Sequence, residues 1–121
     1  MSQDRSPEAW LADARSLLEA PGALGASAPR SVALLSRIAL EEALRSWLDR
    51  NAPGARAANF SVQLLCLQHY ADDKDFARRV AWTWEALSRA THHHGYELPP
   101  LTVDLQRWLE VVEALAVQRP E

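Results

Sequence analysis

At 121 residues, about half apolar and a quarter charged, the chain has room for one hydrophobic core and is expected to form a single globular domain. No apolar run approaches the ~20 residues that span a bilayer, the Met1–Pro7 start has no secretory apolar core, and Cys66 stands alone; these features argue against membrane, disulfide-framework and Cys-pair metal proteins and favour a cytoplasmic one. A net charge of −3, with pI near 5.8, weighs against coating nucleic acid through a broad basic surface, but leaves room for a small cationic site.

The first helix is expected over residues 7–20. Ser6 is its N-cap, Pro7 is tolerated in the first turn, and Glu8 suits the positive helix end. Trp10, Leu11, Ala14, Leu17 and Leu18 follow at helical spacing before Pro21-Gly22. A second helix over 28–51 carries a wide apolar stripe of Val32, Leu35, Ala39, Ala43, Leu44, Trp47 and Leu48, with Glu41 and Arg45 spaced for a surface ion pair. Asn51-Ala52-Pro53-Gly54 stops it.

After a connector at 55–58, Asn59 or Ser61 can cap a short third helix over 60–70, bearing Phe60, Leu64, Leu65, Leu67 and Tyr70. Cys66, set among leucines, reads as a small buried hydrophobe. Asp72-Asp73 caps a fourth helix over 74–93, and Gly95 with Pro99-Pro100 ends it. Thr102 caps a fifth helix over 103–117, with Val103, Leu105, Trp108, Leu109, Val112, Leu115 and Ala116. No stretch alternates at period two long enough to make a strand. The expected fold is all-α, an antiparallel bundle of about five helices.

The fourth helix separates into two faces at roughly 100° per residue. Phe76, Val80, Thr83, Trp84, Leu87 and Thr91 form its core stripe. Arg78, Trp82, Glu85, Arg89 and His93 lie opposite, with Ala86 beside them. A tryptophan facing outward next to a small residue either covers a neighbouring loop or belongs to a homodimer interface built on Trp82 and Ala86.

This helix runs into Arg89-Ala-Thr-His-His-His-Gly-Tyr96, which holds three of the four histidines. Arg89 and His94 would stand about 140° apart on a straight helix. They converge only if the helix ends first or a second copy completes the site, whereas Arg89 and His93, four apart, share a face. Consecutive helical histidines diverge too far to chelate one ion, so no metal or other cofactor is expected.

The chain resembles the HEPN domain family, small all-helical bundles of prokaryotic toxin, defence and RNA-processing systems. The resemblance rests on the helix Ser31–Leu48, on the five-helix order, and on Arg89-Ala-Thr-His-His-His94, similar to the family's pattern of an Arg and a His with four to six residues between them. It implies a metal-independent endoribonuclease acting as a dimer, with Arg89 and His94 catalytic and an RNA substrate. Attack of a 2′-hydroxyl needs a proton acceptor, a proton donor and charge stabilisation; His does the first two near neutral pH and Arg the third. His92 and His93 are alternatives to His94. Tyr96 either packs its loop or stacks on a base, and Glu41 or Glu42 would orient the histidine if they face it.

A toxin–antitoxin or defence role would add an antitoxin or other protein partner. The alternative is a non-catalytic interaction module of the same fold that binds RNA, a nucleotide or a protein. In this chain Ala90 follows Arg89, where active members commonly carry Asn, Asp or His.

Overall fold

The computed structural model describes residues 5–20, 28–92 and 99–118. Among them are five α-helices and no strand: α1 (Pro7–Glu19), α2 (Ala28–Asn51), α3 (Phe60–Tyr70), α4 (Lys74–Thr91) and α5 (Thr102–Val117), with a 3₁₀ turn at Ala55–Ala57. The all-α bundle expected from the sequence is the observed architecture.

Three helix starts follow from single side chains. Ser6 accepts from the Ala9 amide at 3.1 Å, Asn59 from Val62 at 3.0 Å, and Asp73 from Phe76 at 2.9 Å. Each satisfies one of the amides that the first turn leaves unpaired. The fifth start differs from expectation: Thr102 is the first helical residue, Leu101 is the cap, and no side chain bonds there. Gly54 turns the chain after α2 at φ 94°, a conformation that a side chain would strain.

α2 packs against every other helix and forms the centre of the molecule. Its buried residues are Ala28, Val32, Ala33, Ser36, Ala39, Leu40, Ala43, Leu44, Trp47 and Leu48. This band departs from the seven-residue stripe expected: Ala28, Ala33, Ser36 and Leu40 join it, while Leu35 is only half-buried. Small residues along it let adjacent helices approach closely. Leu67, Leu87, Leu105, Leu109, Val112 and Leu115 complete the core from the other elements.

Side-chain contacts give the helix directions. Arg37 and Glu41 of α2 meet Thr91 and Trp84 of α4, in reversed order, so those two helices are antiparallel. Arg50 Nη2, at the end of α2, donates to the Gln118 carbonyl at 2.8 Å, just past the end of α5; these helices run parallel. α4 and α5 therefore run in opposite directions along their shared face.

Three smaller expectations change. Leu65 and Tyr70 of α3 are exposed rather than packed, and Cys66 is only half-buried. Glu41 does not pair with Arg45. Arg45 reaches Glu42 at 2.9 Å, while Glu41 turns inward to α4. Gln63 is buried in α3, and its amide donates to the Arg56 and Ala58 carbonyls at 3.1 and 2.9 Å, tying the 3₁₀ turn down.

Candidate nucleic-acid interface

α4 carries the candidate site, and its two sides are built differently. Phe76, Ala77, Val80, Thr83 and Leu87 are buried, following the 3.6-residue period of the core stripe. Trp84 is half-buried. Its ring lies 5.0 Å from that of Phe60, and Nε1 donates to Glu41 Oε2 at 3.0 Å. Farther along, Arg37 Nη1 donates to Thr91 Oγ1 at 3.1 Å, and Thr91 Oγ1 donates to the Ser88 carbonyl at 2.9 Å. The fit is incomplete: Arg37 Nε stands 3.5 Å from Glu41 without hydrogen-bond geometry, and the buried Ser36 and Ser88 hydroxyls have no protein partner.

This cluster sits where α4 stops. The helix ends at Thr91, two residues before the expected His93, and His92 is the C-cap, extended at φ −77°, ψ 118°. The Thr91 hydroxyl and the His92 amide (3.2 Å) both bond the Ser88 carbonyl, one of the four left open at a helix end. Among the described residues the regular helix therefore ends before either position, His93 or His94, that was reckoned on a helical wheel against Arg89. His92 is exposed, while His93, His94 and Tyr96 lie outside the described residues.

On the opposite side, Arg78, Trp82, Glu85 and Arg89 are exposed, as the helical wheel requires, and Trp82 is 69% accessible. This side does not stand alone. An open groove of about 610 Å³ separates it from α5. Arg79, Trp82, Glu85 and Arg89 form one wall, Arg107 and Trp108 the other, with Ala86 and Val111 also lining it. No salt bridge among the described residues involves the three groove arginines. Arg79 approaches only the Phe76 ring, at 5.7 Å. Glu85 lies one turn before Arg89, a spacing that commonly pairs, yet the two do not meet.

A smaller hollow between α1 and α5, about 280 Å³, makes the contrast plain. The one arginine among its described lining residues, Arg15, is tied to Glu113 at 2.5 Å. Among the described residues, the α4–α5 groove thus combines three unpaired guanidiniums with two indole rings and a single carboxylate. Guanidiniums offer planar forks to phosphate oxygens, and indoles offer stacking faces to bases.

Arg89, Trp82 and Ala86 were legible in the sequence as members of this side; Arg79, Arg107 and Trp108 were not. Trp108 falls on the apolar stripe of α5 and reads as core, while Arg107 beside it reads as ordinary surface. Only the packing of α5 against α4 joins them to Arg89. Among the described residues, no group of three His, Cys, Asp or Glu side chains is placed to hold a metal ion, and no helix is long and apolar enough to cross a membrane. Comparison with protein-family models, curated proteins and solved structures finds no match for this chain.

Proposed function

We propose that this is a HEPN-type, RNA-acting protein of the cytoplasm, a metal-independent endoribonuclease of a toxin–antitoxin or defence system, in which Arg89 and His94 carry the reaction. The observation that supports this reading is the setting of Arg89: exposed, without an acidic partner, and joined by Arg79 and Arg107 on a chain whose net charge is −3. His94 would take the proton of a 2′-hydroxyl, whose oxygen attacks the adjacent phosphorus. The bond to the 5′-oxygen breaks, and that oxygen is reprotonated by the histidine. Arg89 would hold the charge that gathers on the phosphoryl oxygens. The products are a 2′,3′-cyclic phosphate and a 5′-hydroxyl.

The test is incubation of the purified protein with bulk RNA in EDTA. Arg89→Ala and His94→Ala should each lower the cleavage rate by ~10²–10⁴, with His92→Ala and His93→Ala doing less. A wild-type protein that leaves RNA intact, with and without added divalent metal, would remove the catalytic reading.

Trp82 and Trp108 favour a second reading, a non-catalytic module of the same fold. Indole rings recognise partners rather than transfer protons, and the partner would be RNA, a nucleotide, an antitoxin-like protein or a second copy of this chain. RNA binding without cleavage, weakened by Arg89→Ala, would identify the first of these. A two-fold dimer through Trp82 and Ala86 would instead fall to monomer mass on Trp82→Glu.

A further inference from the structure

The described residues include eleven arginines, and eight have partners. Arg5, Arg15, Arg37, Arg45, Arg56 and Arg78 each face a carboxylate, Arg50 bonds the Gln118 carbonyl, and Arg30 is likewise engaged. The remaining three, Arg79, Arg89 and Arg107, make no hydrogen bond or ion pair, and all three line the α4–α5 groove. The chain has more acidic than basic residues, 16 against 13, so a pocket of unpaired guanidiniums is not a by-product of excess base. Two tryptophans flank them, one of which exposes most of its surface.

We propose that this groove binds a single-stranded RNA segment, with its phosphates on Arg79, Arg89 and Arg107 and an unpaired base stacked on Trp82. The inference rests on the RNA-acting reading and adds the strandedness of the ligand and the residues that select it. Charge decides the sign of the occupant: among the described lining residues, three cations against one carboxylate, Glu85, call for an anion. The indoles decide its form. In an A-form duplex the bases are stacked within the helix and offer no open face, whereas a single strand splays its bases onto aromatic side chains. A duplex would meet only the three guanidiniums and lose the aromatic contribution.

Charge also disfavours a second copy of this chain in the same place. A two-fold interface sets a patch against itself. Three arginines and one glutamate per protomer would become six guanidiniums facing two carboxylates. Like charges brought together across an interface oppose association.

The experiment is fluorescence anisotropy with a short labelled single-stranded RNA and the duplex of the same sequence. It uses the full chain carrying His94→Ala, so that no strand is cut during the titration. Trp82 is exposed, so Trp82→Ala leaves the core intact. It should weaken single-strand binding about 5- to 150-fold and leave duplex binding unchanged, with Trp82→Phe restoring part of the loss. Arg107→Ala should weaken both and reduce the slope of log K against log salt by roughly 0.7 for the single strand.

RNA binding that responds to neither Trp82→Ala nor Arg107→Ala overturns the groove and leaves the RNA-acting reading standing. Absence of any RNA binding, together with intact RNA in the cleavage assay, removes that reading as well. A wild-type dimer that Trp82→Glu converts to monomer, with RNA binding unaffected, assigns the groove to a second copy.

Discussion

The two sides of α4 treat arginine in opposite ways. Toward α2, Arg37 is only partly accessible and is held by Thr91 and Glu41, and Glu41 also accepts the Trp84 indole. Toward α5, Arg79, Arg89 and Arg107 line an open groove and form no ion pair with Glu85, which lines it too. Buried polar groups left unpaired cost the whole of their lost hydration, so packing on the first side favours partners, which Trp84 and Thr91 have and the Ser36 and Ser88 hydroxyls lack. Water relaxes that demand on the second, and the charges there remain available to a ligand. One side therefore holds the helix end in place, and the other presents it.

The largest effects are expected on the buried side of α4. Leu87 is fully buried on the core stripe, and Leu87→Ala should cost roughly 2–5 kcal/mol in urea unfolding, through lost burial and the cavity left behind. Next comes the polar clamp. Glu41→Ala removes the acceptor of the Trp84 indole and the carboxylate beside Arg37, and should cost about 1–3 kcal/mol with a shifted tryptophan emission maximum. An unchanged denaturation midpoint would show that the clamp does not hold α4.

Ser36 sharpens the same contrast with the opposite sign. Its hydroxyl is buried without a protein partner, so Ser36→Ala should raise stability by about 1 kcal/mol, through relief of desolvation and better helix propensity. The groove side should show the smallest stability effects. Trp82→Ala and Glu85→Ala should each stay within ~0.5 kcal/mol of wild type. Glu85→Ala should at the same time tighten RNA binding, because it removes the only carboxylate among the described residues of the groove. A large loss of stability in either variant would mean that the groove side is part of the scaffold and not a presented surface.

Local chemistry made the helices legible in the sequence. Ser6, Asn59 and Asp73 cap the elements they were expected to cap, and Pro53-Gly54 breaks the chain where two helices must part. A cap acts on amides two or three residues away, so its effect is written within one turn. The two faces of α4 were legible for a similar reason, since a 3.6-residue period sorts side chains without reference to any neighbour. Arg89 and Trp82 were therefore placed correctly on the outward side.

Contacts between distant residues were not legible. α4 stops at Thr91 where a hydroxyl bonded by Arg37, 54 residues earlier, meets the Ser88 carbonyl, and no signal at positions 88–93 records that contact. Glu41 found Trp84 instead of Arg45 because burial against α4 favours a partner across the interface over one on the helix surface. Arg107 and Trp108 joined Arg79, Trp82 and Arg89 only because α5 lies antiparallel beside α4. The sequence alone determined five helices and the two faces of α4, since those depend on interactions within a few residues. Which helix covers which face, and so which cations are left without partners, was decided by tertiary packing, because it depends on residues that share no stretch of chain.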